Sequence, residues 1–180
     1  MRAAIIAMMI LLLPAALFAG PTMGVYFTYA PTQMHYSPMP FEQFLGYVYA
    51  QNTACFLTGA EFALEIPEGV VLIGYTLPGD YVTLGSLPVG LSMAIWPPMD
   101  GWTANLLCTL TFLAVNSCPG TGGTMLDAPI RVIAHPDTGL IQGACFPENY
   151  LFEYTGLTSI LCPYVIGVQE TNWGAIKSLF

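Results

Sequence analysis

Between Gly59 and Ile66 the chain changes character at every step, with Ala60, Phe62, Leu64 and Ile66 alternating with Glu61, Ala63 and Glu65. Successive side chains of a β-strand point to opposite faces, so this run predicts a half-buried strand with its apolar set turned to a core. Leu106, Cys108, Leu110 and Phe112 alternate with Thr109 and Thr111 in the same way, while Leu107 and Leu113 make the second face apolar too, which predicts a central strand. Further strands are expected over residues 23–29, 44–51, 70–76, 81–84, 91–96, 130–134, 141–145 and 160–166. Proline and glycine punctuate them: Pro67-Glu68-Gly69, Pro78-Gly79-Asp80, Pro88-Val89-Gly90, Pro119-Gly120 and the stretch from Pro97 to Gly101. Proline presets φ and glycine accepts positive φ, so each cluster marks a turn. Short strands at this spacing predict an all-β antiparallel sandwich, Ig-like in arrangement, with about eight to ten strands.

Both ends break the alternation. Arg2 is followed by an apolar stretch from Ala3 to Leu13, then Pro14 and small residues up to Ala19 and Gly20. That is the order of a secretion signal, and the expected cut follows Ala19, with Leu17 an imperfect match to the small-residue rule. A retained anchor fits less well, because the run is shorter than a spanning helix needs and Pro14 interrupts it. No transmembrane segment is expected after cleavage. At the other end, residues 168–180 place Trp173, Ile176 and Phe180 at helical spacing, with Thr171 or Asn172 as N-cap, and predict a short amphipathic helix. This tail either docks on the sandwich, expected at residues 20–167, or serves as a partner-binding or sorting element. A terminal Phe also ends outer-membrane barrels, but proline-rich strands fit such a barrel badly.

Composition narrows the partners. The formal net charge is −8, and once Arg2 leaves with the leader the eleven acids face two bases, Arg131 and Lys177. Nucleic acid is excluded as a partner, because phosphate binding draws its affinity from Lys and Arg. Charged residues make up only 8% of the chain, against 18 Gly and 15 Pro, which favours strands and turns over exposed charged helices.

The aromatic strand Phe44–Ala50, the strand Ala60-Glu61-Phe62-Ala63-Leu64-Glu65-Ile66 with Pro67 and Gly69, and the later strand Leu106–Phe112 follow one another in an order that resembles the cohesin-like class of extracellular β-sandwiches. With its C-terminal Trp173-Gly174-Ala175-Ile176-Lys177 segment, the chain also looks like uncharacterised secreted bacterial proteins that pair such a sandwich with a short tail. Cohesins hold dockerin modules in cellulosome scaffolds. The resemblance therefore implies a non-catalytic recognition role, and it transfers no partner-contacting residue.

Five cysteines, Cys55, Cys108, Cys118, Cys145 and Cys162, follow the leader, and export permits disulfides. An odd count leaves one thiol over. Cys108 is expected to be the free one, since its parity groups it with Leu106, Leu110 and Phe112, where Cys behaves as a small hydrophobe. Cys55, Cys118, Cys145 and Cys162 are the bridge candidates, with connectivity open. No Cys-x-x-Cys pair points to a metal, and neither metal nor cofactor is expected.

His35 and His135 are the histidines from which a triad would have to be built, but there is no Gly-x-Ser-x-Gly elbow and no His-Glu-x-x-His pair. The glycine-rich run 119–124 lacks the Lys of a phosphate loop and is read as a plain loop. Glu61 and Glu65 share a strand face, which reads as solvated; a glycosidase needs its acids opposed across a substrate. Asp80, Asp100, Asp127 and Asp137 fall in turns, where Asp caps the backbone. Trp96 and Trp102 flank the 97–101 loop and are the candidate ligand-binding residues, set against the ordinary use of aromatics in strands and cores.

The expectation is a secreted, periplasmic or surface module, not an enzyme, used in recognition, adhesion or assembly with a protein or glycan partner. A carbohydrate-binding module and a small secreted hydrolase are the alternatives.

Overall fold

The computed structural model describes residues 20–118, 123–148 and 150–163. The leader expected at 1–19, the glycine-rich residues 119–122, the end of the last expected strand at 164–166 and the tail at 168–180 lie outside them. Thirteen strands are found among the described residues: β1 Thr22–Tyr26, β2 His35–Tyr36, β3 Gln43–Gln51, β4 Phe56–Glu65, β5 Val70–Thr76, β6 Val82–Ser86, β7 Gly90–Met99, β8 Asn105–Ala114, β9 Ala128–Ile133, β10 Gln142–Phe146, β11 Leu151–Glu153, β12 Thr155–Gly156 and β13 Thr158–Leu161. Each of the ten expected strands overlaps one of these, the one expected at 160–166 only at residues 160–161 of β13. Two-residue β2 and β12 and three-residue β11 are too short to show a period and escaped the reading.

The strands form two sheets. One has the order β12-β1-β3-β8-β5; the other runs β11-β10-β4-β9-β13-β2, with β7 paired to β4 and β6 to β7. The fold is all-β, a sandwich whose inner faces supply one core. Phe62 and Leu57 from β4, Phe112, Leu110 and Leu107 from β8, Met23 from β1, Leu91 from β7 and Ile130 from β9 are completely buried in it. Phe44 stacks on Phe112 with ring centroids 5.2 Å apart, and Tyr36 on Phe44 at 5.1 Å, so one ladder of rings crosses the β2–β3–β8 side.

The parity expected for β8 needs one correction. Val48 pairs with Cys108 but Tyr49 pairs with Leu106, leaving Leu107 as an extra residue in the ladder. A bulge of this kind turns two consecutive side chains to one face. Leu107 and Cys108 are therefore both fully buried, and Leu106 only partly. β7 is also longer than expected and runs past Trp96 to Met99. Its pairing jumps from Gly59↔Ala94 to Leu57↔Met99, so residues 95–98 all lie opposite Thr58.

β9 and β10 meet successive stretches of β4, at residues 63–65 and 56–61, both antiparallel. The chain between them, residues 134–141, leaves the ladder and reaches the β6–β7 hairpin. Cys55 and Cys145 form one disulfide-distance pair with Cα atoms 5.8 Å apart, and Cys118 and Cys162 a second at 5.1 Å. Cys108 is free and buried.

Candidate functional site

Cross-strand partners share a face of a sheet, so the register of the second sheet lays out its outer surface row by row. Val82 pairs with Ala94, Ala94 with Gly59, Gly59 with Ala144 and Ala144 with Leu151. This row crosses β6, β7, β4, β10 and β11 without a polar side chain. The next row reads Leu84, Ser92, Glu61, Gln142 and Glu153, with Gln142 donating from Nε2 to Glu61. Small residues occupy the middle of the apolar row and large ones its ends, where Val82 is 72% exposed and Leu151 64%. The outcome is a groove of about 310 Å³, floored by Gly59, Ala94 and Ala144 and edged by Thr58, Glu61 and Leu151. Inward neighbours on the same strands, Ala60, Phe62 and Met93, are buried, so the floor rests on the core.

Four exposed rings gather where β4 begins. Phe56 and Phe146 pair across β4 and β10, Trp96 sits in the β7 residues opposite Thr58, and Trp102 follows in the turn to β8. That turn is held from several directions. The backbone N–H groups of Thr53 and Ala54 donate to the Gly101 carbonyl at 3.1 and 3.3 Å, and the Thr53 hydroxyl at 2.9 Å. Asp100 accepts from the Trp102 N–H at 3.1 Å, as a turn-capping Asp should, and its carbonyl accepts from Asn105 Nδ2 at 2.7 Å. A Cβ on Gly101 would stand 1.8 Å from the Cys55 carbonyl, so only glycine fits the close approach that fixes the turn. The Cys55–Cys145 bridge lies directly beneath it.

A third feature lies at the β6–β7 hairpin, where residues 135–137 close over a cavity of about 420 Å³ lined by Ser86, Ser92, Gly90, His135 and Asp137 among others. His135 is buried, and its Nε2 lies 3.4 Å from Ser92 Oγ. The Asp137 N–H donates to His135 Nδ1 at 3.3 Å. Nδ1 is thus occupied by a backbone donor. A general base for a serine nucleophile has a carboxylate at that nitrogen instead. The contact fastens the 134–141 segment to β7.

The remaining predicted residues are dispersed. His35 lies on β2, at the far edge of the sheet from β11. Glu61 is engaged by Gln142 and Glu65 by Arg131 at 2.9 Å, so the two strand-face acids serve different partners. Among the described residues no group of three or more His, Cys, Asp or Glu side chains is placed to hold a metal. Burial pushes the Cys108 thiol far up from its ordinary value. Trp96 and Trp102 are 78% and 74% exposed. The groove was invisible in the sequence, because Val82, Gly59, Ala94, Ala144 and Leu151 acquire meaning only through register.

No protein-family model matches the chain, nor does any curated protein sequence. Solved structures do. A non-cellulosomal cohesin from the hyperthermophilic archaeon Archaeoglobus fulgidus superposes with a TM-score of 0.55 at 10% identity, over 82% of this chain and 93% of its own. The third ScaB cohesin of R. flavefaciens, solved in complex with a group 1 dockerin, gives 0.54 at 9% identity over 82% and 99%. A chain of a type I cohesin–dockerin complex from Clostridium thermocellum gives 0.51 at 8% identity over 79% and 99%. The fold is thus that of the cohesin-like β-sandwiches.

Proposed function

We propose that this protein is a non-catalytic recognition and assembly module that takes a protein partner on the outer face of its second sheet. The observation that carries the reading is the apolar row Val82, Ala94, Gly59, Ala144 and Leu151, which crosses five strands and is left open. An apolar strip rimmed by polar residues has the anatomy of a protein interface. Here Ser92, Glu61, Gln142 and Glu153 provide that rim. The structural neighbours solved with dockerins support a protein partner, and the sheet scaffold keeps the groove preformed, which spares ordering cost on binding.

The module works outside the cytoplasm on this reading, delivered by residues 1–19 and stapled by bridges that an oxidising compartment maintains. A hydrolase is the weaker account, because a backbone N–H occupies the His135 nitrogen at which a triad places its carboxylate. Position 144 provides the test. A photoreactive side chain at Ala144 or Ala94 should crosslink to a protein from the surrounding culture medium, and one at Ile73, on the exposed face of β5, should not. Ala144→Arg, which fills the groove, should weaken that association by at least about tenfold, roughly 1.4 kcal/mol. Association that survives Ala144→Arg and Ala94→Arg unchanged would remove the groove from consideration.

A further inference from the structure

We propose that the aromatic end of the sandwich, where Phe56, Trp96, Trp102 and Phe146 border the groove, is a second binding site, and that its ligand is a neutral polysaccharide. Phe56 and Phe146 are each 50% exposed, and the two tryptophans more so. Among the described residues none of the four rings contacts another ring; the ring pairs of the molecule lie elsewhere.

The backbone that carries them is not loose. Gly101 is fixed by three hydrogen bonds from Thr53 and Ala54, Asp100 caps the turn, and the Cys55–Cys145 bridge joins the strands that bear Phe56 and Phe146. A fixed backbone removes part of the ordering cost when something stacks on the side chains it carries.

Local chemistry selects the ligand class. Arg131, the one Lys or Arg among the described residues, is engaged by Glu65 on β4's other end, and the charges near the rings are Asp100 and Glu148. A polyanion or an anionic headgroup would meet like charge there and find no cation. What the end offers is flat apolar platforms interleaved with acceptors, the Asp100 and Glu148 carboxylates and the Thr103 hydroxyl. A pyranose presents the complement, C–H groups on one face and hydroxyl donors around its rim. A protein hot spot, by contrast, is typically a ring that fills a desolvated pocket near the centre of an interface, and these rings are exposed to solvent along one side of the groove.

Affinity electrophoresis through gels containing hydroxyethyl cellulose, arabinoxylan, galactomannan or soluble starch, with alginate as the anionic comparison, tests this. Retardation is expected in at least one neutral polymer and not in alginate, with Trp102→Ala and Trp96→Ala each weakening it by about tenfold. Both substitutions are at exposed positions, and melting temperatures unchanged from the parent would show that the fold persists. No retardation by any neutral polymer overturns the proposal, as does retardation that both substitutions leave intact. Loss of protein crosslinking at position 144 in the tryptophan variants, without any glycan effect, would instead assign the rings to the protein partner. Trp102 lies outside the groove lining, so Trp102→Ala should weaken glycan retardation while crosslinking at position 144 persists, which distinguishes failure of one site from failure of the other.

Discussion

Tyr36 shows how much a single phenol can report. Its hydroxyl donates to Glu42 Oε1 at 2.6 Å, while Glu42 Oε2 accepts from the Met39 N–H at 2.6 Å. The hydrogen bond to Glu42, reinforced by burial and by the carboxylate's charge, pushes the phenol up to about 12. A folded value above the unfolded one, about 10, means that the folded state favours the neutral phenol. This contribution is complete below the unfolded value and is lost as the pH climbs through the folded one. Urea unfolding across the alkaline range should show that decline, and Tyr36→Phe should flatten it while costing about 1 kcal/mol at neutral pH. Cys108 is the opposite kind of residue, a thiol that burial leaves without a reactive role. Its place in the core was readable from its apolar neighbours at even spacing. That of Leu107 was not, since parity rules count residues and a bulge inserts one.

At the scale of elements, what the sequence conceals follows from the same cause. Strands of five or more residues announced themselves through alternation, and turns through proline and glycine. Register, however, is a relation between strands distant in the chain, and the groove is made entirely of register. Trp96 and Trp102 were legible as candidates because they flank a turn, yet the fixing of that turn by Thr53 and Ala54, some fifty positions earlier, has no local signature. The 134–141 excursion is a similar case. It interrupts what would otherwise be one strand along β4, and it is fastened to the β6–β7 hairpin through His135. A Cβ on Gly90 would lie 2.8 Å from His135 Nε2 and 2.9 Å from Pro136 Cδ, against a proline ring that cannot swing away. Gly90→Ala should therefore lift the excursion, seen as faster amide exchange at Asp137 and Gly139, with the groove's crosslinking little changed. Unaltered exchange there would mean that the hairpin yields instead.

Across the whole molecule, two sheets share one core and two bridges tie the connections between them. Cys55–Cys145 closes a sequence separation of 90 residues and Cys118–Cys162 one of 44. Cross-links over loops of such length restrict the unfolded chain, and losing either should cost about 2–5 kcal/mol in thermal or denaturant unfolding. The acidic composition adds self-repulsion on top of that, a further reason for staples.

The parallel pairing of β1 with β12 has a mechanical consequence. The Thr155 N–H donates to the Pro21 carbonyl at 2.9 Å and the Leu157 N–H to that of Met23 at 2.8 Å, and the chain from β12 continues directly into β13. Tension applied at Gly20 and at Pro163 would drag these parallel segments in opposite directions along their length, so their hydrogen bonds are loaded together rather than unzipped one after another. Cys162 stands at the point where such a load enters and shares it through Cys118. Single-molecule extension should therefore give a high rupture force that falls when the bridge is reduced, behaviour suited to a link that must hold while something pulls on it.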